Sequence, residues 1–448
     1  MSAGQFRKAS PAFICKTIFE SNSKYSLELK ITDVKTATVI GNYYWTYARV
    51  YAGDLYGTGE GYTAPQLENV ILELSPLVIG ENALDLNYIY DKLRWAAVPS
   101  GVSGIMYHAI SAIEIAILDL VGKYLNVPVY TLLGGKFRNE IRMYVDTHAG
   151  ESLHARDRAL RPAYTKWMKE LKKQDEGSDE MSPNDPMFGR STVQKFSDAY
   201  TPKAYADRAV KMKGEGFTAV KFDLDIPTPY STSLGQKSGY LNNQEIAYLV
   251  ELVRAVREGV SDNTDIMFDL HWKYNIGSSV RLLRAMEPFG VMWIEDPLPP
   301  DDLSLLGNLT KMTTTPIASG ENVYNRYGFA QLLETGLPIM TPDSIKAGGL
   351  TETRMGAMLA AMREVVVSPH NVSSPIGTVA QGHLAASIPN FGVLEFHGRD
   401  VPIWYKLAKG KSDLIKNGFI TLKDEPGLGV ELDESVAKNY SLDDKFNL

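Results

Sequence analysis

Three carboxylates, Asp269, Glu295 and Glu321, follow one another at equal intervals of 26 residues, in the stretches DIMFDLH, VMWIEDPL and PIASGE. Each ends a short, apolar, β-rich run. A strand–helix–strand unit takes roughly that length, so the even spacing is what consecutive units produce when each sets one acid around a common axis. Three carboxylates brought together cannot all stay ionised without a counter-charge. A hard divalent cation with oxygen preference, Mg2+ above all, relieves the repulsion and leaves positions open for water or substrate. Taken singly, each acid is as readily a salt-bridge partner or a helix N-cap; the set points to a metal.

Histidines accompany the acids. Asp343, in IMTPDSIKAGG, and His370, in VVVSPHN, end the sixth and seventh of these runs. An aspartate hydrogen-bonded to one imidazole nitrogen fixes the tautomer and raises the basicity of the other, which makes a general base. The plainer alternative is a buried histidine satisfied by a neighbouring acid. His271 stands two residues after Asp269, and in an extended chain the two share a face. It is then a proton donor or a fourth ligand beside the cation.

The elements that must position these groups recur from residue 141 onward. Strands are expected at 141–148, 217–225, 265–271, 291–298, 316–321, 339–346, 364–371 and 390–397, with helical periodicity between them at 278–289, 327–336, 351–364 and 377–387. Eight alternating units argue a closed β/α barrel, in which catalytic groups sit at the C-terminal strand ends. Before the barrel, 28–64 reads as an antiparallel meander and 103–126 as a helix, an α+β unit. Within the meander, GDLYGTGEGY (53–62) lacks the lysine and following helix of a phosphate loop and reads as a hairpin turn. The charged segment 155–202 reads as an insertion over the barrel mouth, and 398–448 as a tail packing on the first unit.

Composition narrows the partners. Forty-six Lys and Arg against 53 Asp and Glu give a net charge of −7 with no basic block, which argues against nucleic acid. The single cysteine, Cys15, rules out an intrachain disulfide and cysteine-rich metal sites, and favours a reducing, cytoplasmic setting. No signal-peptide core precedes Lys16, and no run reads as a membrane span.

The ordered set SAIEIAILDLVGKYLNVPVYTLLGG (111–135), AVKFD, FDLH, WIEDP, SGE, PDSIKAGG, SPHN and LEFH resembles the mandelate racemase/muconate lactonizing branch of the enolase superfamily, over nearly the whole chain apart from 155–202. The resemblance implies a modified TIM barrel, (β/α)7β, at 139–397, with an α+β capping domain at 1–138 completed by 398–448. It implies one Mg2+ per subunit on Asp269, Glu295 and Glu321, a His370–Asp343 base, and homo-oligomers from dimers to octamers. Glu395, in LEFH, matches an acid that is protonated and hydrogen-bonds the substrate carboxylate as its charge grows. The family's Lys-x-Lys is here Lys221-Phe222-Asp223, so the second lysine of a two-base racemase is missing.

The Asp-x-His of FDLH is similar to the branch's sugar-acid dehydratases, in which that histidine protonates the leaving hydroxyl. The expectation is therefore a Mg2+-dependent aldonate dehydratase. His370 takes the C2 proton, His271 protonates the C3 hydroxyl, and loss of water gives a 2-keto-3-deoxy acid. Lys221 offsets developing charge, or else serves only as partner to a ligand carboxylate. Tyr43, Tyr44 and Trp45 of the capping loop are substrate contacts or else ordinary core packing, Asp223 is a further expected contact, and Asp296 lies behind the ligands. An epimerase, racemase or cycloisomerase of a hydroxy acid would share the metal and one base. A catalytically silent metal-binding scaffold is the third reading.

Overall fold

The computed structural model describes residues 28–149, 193–411, 413–442 and 446–448. Cys15 and most of the expected insertion lie outside the described residues. The chain opens with a three-stranded antiparallel sheet, β1 (Asp33–Ile40), β2 (Tyr44–Ala52) and β3 (Leu55–Gly61). GDLYGTGEGY is mostly not the expected turn. The reversal is confined to Gly53 (φ 62°) and Asp54, and Leu55–Gly61 is β3. Its glycines serve close packing: a Cβ at Gly57, Gly59 or Gly61 would come within 2.6 Å of a backbone oxygen of the helix Ile105–Leu125.

That helix is long and apolar enough to cross a membrane by length and composition, contrary to the sequence reading. Yet 89% of its apolar window is buried inside the fold, so its uniform hydrophobicity reflects packing on every face. It also docks the first unit on the barrel. Glu114 accepts from the Leu350 and Thr351 amides at the start of the helix Leu350–Ala361. Glu60, from β3, does the same for the helix Pro375–Ser387, accepting from Ser374 and Gly377. Buried acids at helix N-termini satisfy otherwise unpaired amides and meet the positive end of the helix dipole.

The barrel strands are β4 (Glu140–Asp146), β5 (Ala219–Asp223), β6 (Asp265–Asp269), β7 (Trp293–Glu295), β8 (Ile317–Ser319), β9 (Ile339–Met340), β10 (Val366–Val367) and β11 (Leu394–Phe396). They pair in parallel from β4 to β10 in chain order, and β11 pairs with β4. The bonds Gly392 N to Val367 O (2.9 Å) and Glu395 N to Pro369 O (3.2 Å) close the ring. Each of the seven crossovers carries at least one α-helix among the described residues, so this is a (β/α)7β barrel. Beyond it, the hairpin β12 (Ile415–Lys416) and β13 (Phe419–Thr421) adds to β4, while Ser441 and Asn447 bridge to β1.

The barrel interior is layered with the strand period of two. Tyr144, Ala219, Met267, Trp293, Ile339 and Val393 pack together in an apolar plug. Two residues further along their strands come Asp146, Lys221, Asp269, Glu295 and Glu395, on the same inward face. An ionic layer thus rests on a dry one.

Candidate active site

One oxygen from each of Asp269, Glu295 and Glu321 lies within 4.8 Å of the others, and all three side chains are buried. Glu321 reaches this point from Gly320, whose φ of 146° suits glycine alone. The three acids expected to converge therefore do so. Burial, partly countered by Lys221, pushes the Glu295 carboxyl up to about 7, and its Oε1 is buried with no hydrogen-bond partner among the described residues. Oxygen-only donors, this spacing and an orphaned carboxylate oxygen fit a hard divalent cation.

Two lysines already touch the acids. Lys221 Nζ stands 2.9 Å from both Glu295 Oε2 and Glu395 Oε1, and 3.3 Å from Asp269 Oδ2. It is buried, and these carboxylates outweigh the desolvation that would otherwise lower its pKa. Lys346 Nζ lies 3.2 Å from Glu321 Oε1 and 3.9 Å above the Tyr62 ring.

His370 directs Nδ1 at Asp343 Oδ2 (2.7 Å) and Nε2 toward Glu321 Oε2 (3.4 Å). Although burial lowers its pKa, Glu321, Glu395 and Asp343 carry it up to about 9. Gln381 braces the pair, donating to Asp343 Oδ1 and to the His370 carbonyl. His271 flanks the triad from the other side, its Nδ1 3.7 Å from Asp269 Oδ1 and 3.2 Å from Asp225 Oδ1. It arrives there differently from the sequence argument. β6 ends at Asp269, and His271 (φ 37°) and Trp272 (φ 58°) form a left-handed turn, with the His271 amide donating to Asp269 Oδ1.

Two further expectations change. Glu395, expected protonated, is held well below the usual carboxylate range. Burial alone would raise it, but Lys221, His370 and the Asn371 amide favour the anion. Of the capping-loop aromatics, Tyr43 lines the cavity and Tyr44 and Trp45 do not. The Trp45 indole packs over Gly41 and donates to the Val372 carbonyl (3.3 Å), so it is core. Asp296 lies behind the ligands, accepting from Ser319 Oγ at 2.5 Å.

The cavity, about 250 Å³, is lined by His370, His271, Lys221, Glu321, Glu395, Asp223 and Tyr43, and by others unassigned from sequence: Asp146, His148, His397, Tyr62, Trp272 and Lys346. A signal for several of these was present. VDTH, FDLH and LEFH each end a strand on acid-x-His, and all three histidines face the cavity.

Comparison with known proteins follows the same outline. Residues 27–134 match the mandelate racemase/muconate lactonizing enzyme N-terminal domain, and residues 204–436 the enolase C-terminal domain-like family. A D-xylonate dehydratase of Haloferax volcanii is 39% identical over 93% of this chain and 90% of its own length. A D-gluconate/D-galactonate dehydratase of Picrophilus torridus is 26% identical over 76% and 73%. Among solved structures, a mandelate racemase/muconate lactonizing enzyme-like protein of Rubrobacter xylanophilus superposes with a TM-score of 0.80 at 34% identity, covering 92% of this chain and 98% of that one. With both halves matched and the barrel, cap and acid triad in place, the chain belongs to the mandelate racemase/muconate lactonizing branch of the enolase superfamily.

Proposed function

We propose that the protein is a Mg2+-dependent aldonate dehydratase, converting a sugar acid to its 2-keto-3-deoxy acid. One observation carries the reading. Two imidazoles, each against an aspartate, come from β10 and β6, which are four strands apart in an eight-stranded ring, and the acid triad lies between them. The proton α to a carboxylate is weakly acidic because its removal builds a second negative charge. A divalent ion held by Asp269, Glu295 and Glu321 would supply the charge that offsets it.

The chain's own groups do the rest. Lys221 Nζ offers a second, fixed positive charge beside the triad. His370 Nε2, with Asp343 behind the ring, takes the C2 proton in its neutral form. His271 delivers a proton to the C3 hydroxyl as it departs, and the enol product tautomerises to the ketone. Base and acid on opposite walls make the elimination anti. Asp223 replaces the lysine that a second base would require, which weighs against racemisation. The dehydratase activities named for the relatives agree with this chemistry.

The test is a library of pentonates, hexonates and aldarates incubated with enzyme and Mg2+ and assayed for semicarbazide-reactive keto acid. Keto acid from at least one aldonate is expected. C2 deuteration without any dehydration, across the library, would replace the reading with epimerisation.

A further inference from the structure

A polar row on the first and last barrel strands has no part in the chemistry just described. Strand alternation at the end of β4 turns Asp146 and His148 into the cavity and Thr147 away, to Arg208 (2.6 Å). His148 Nδ1 meets Asp223 Oδ2 at 3.3 Å, and Asp223 Oδ1 lies 3.9 Å from His271 Nδ1. Next to His148 stands His397, ring centroids 5.8 Å apart, its Nδ1 2.6 Å from the Asn42 amide of the cap. The row therefore runs from the leaving-group histidine outward to the capping loop.

Two polar atoms of these cavity-lining residues lack partners. His148 Nε2 and Asp146 Oδ1 are buried with no hydrogen bond among the described residues, and the Asp146 side chain is 7% exposed. Two orphaned polar atoms on one cavity wall are costly unless a ligand satisfies them. The nearest substrate group beyond the departing C3 hydroxyl is the C4 hydroxyl, which both donates and accepts.

We infer that His148, held by Asp223, and Asp146, flanked by His397, form the subsite that reads the C4 hydroxyl of the aldonate. The subsite rests on the dehydratase reading and adds a specificity determinant to it.

The experiment compares an aldonate with its 4-deoxy analogue on wild type, His148→Ala and His148→Gln, with circular dichroism to establish folding. A site built to hydrogen-bond a hydroxyl rejects the analogue lacking it, so wild type should favour the parent by about 100-fold or more in kcat/KM. His148→Ala should lower the parent's kcat/KM while leaving the 4-deoxy value nearly unchanged, collapsing the preference at least tenfold. His148→Gln, which keeps a donor near Nε2, should restore part of it. Parent turnover with an unchanged preference in both variants overturns the subsite alone. Absence of keto acid from every aldonate with wild type overturns the dehydratase reading and the subsite with it.

Discussion

Asp343 stands directly behind His370, Oδ2 to Nδ1 at 2.7 Å, and thereby leaves the ring's other nitrogen directed at the acid triad. A base must be neutral to act, and here the neighbouring carboxylates hold the ring's pKa at about 9. Activity should therefore climb with pH on its acid limb. Asp343→Asn removes a contribution that raises the pKa, so the limb moves to lower pH while kcat falls by roughly 10²–10⁴-fold. A pH–rate profile checks both; a limb that stays in place, or moves up, removes Asp343 from this role.

His271 and His370 act on different bonds, so their loss should be separable. In His271→Asn the base is intact, and the C2 hydrogen should exchange with deuterium from solvent while keto-acid formation falls by at least about 100-fold. In His370→Asn both should vanish. Proton NMR of recovered substrate distinguishes the cases. Loss of exchange in His271→Asn would make that histidine part of proton abstraction instead.

The acid triad predicts the pH dependence of metal binding. Glu295 is raised to about 7, chiefly by burial, whereas Glu321 is held down to about 2 because His370 and Lys346 outweigh its burial. Below about 7 the cation must displace a proton from Glu295. Affinity for Mg2+ should thus rise with pH up to that point, by as much as about tenfold per unit for one proton released. Titration calorimetry in two buffers of different ionisation enthalpy measures the release directly. Binding without proton release at pH 6 would mean that Glu295 is ionised in the free site. Chelation should abolish turnover, and added Mg2+ should restore it.

Much of this geometry was legible in the chain because barrel strands are short and strictly alternating. Asp269, Glu295 and Glu321 could be brought together from spacing alone, since each βα unit contributes the same length. Lys221 followed only from the resemblance of AVKFD to the family's Lys-x-Lys. What escaped was set by tertiary contacts. The glycines of β3 look like turn residues until the helix Ile105–Leu125 is laid against them. Trp45 looks like a substrate contact until the Val372 carbonyl claims its indole. The ionisation of Glu395 depends on Lys221 and the Asn371 amide converging on it from other strands and loops. The acid-x-His pattern of VDTH and LEFH was readable, but a histidine becomes a cavity residue only once its strand is known to end there.

Glu114 ties the capping unit to the segment that carries Asp343, the partner of the base. Its two oxygens accept from Leu350 and Thr351, immediately after the loop bearing Asp343 and Lys346, and Gly349 (φ 101°) leaves the room, since a Cβ there would lie 2.3 Å from Glu114 Oε2. Burial raises the carboxyl to about 7, despite those hydrogen bonds. The folded state therefore binds a proton that the unfolded chain, at the ordinary value of 4.5, has lost. Stability from this group is greatest below 4.5 and falls as pH rises from there to about 7. Glu114→Ala, which strips two helix amides of their acceptor, should cost about 2–3 kcal/mol. Glu114→Gln should cost less and should flatten the dependence, so that the difference in melting temperature between wild type and variant changes between pH 5 and pH 7. Parallel melting curves across that range would show that Glu114 keeps one protonation state on unfolding, and the carboxyl would then have to be ionised in the fold.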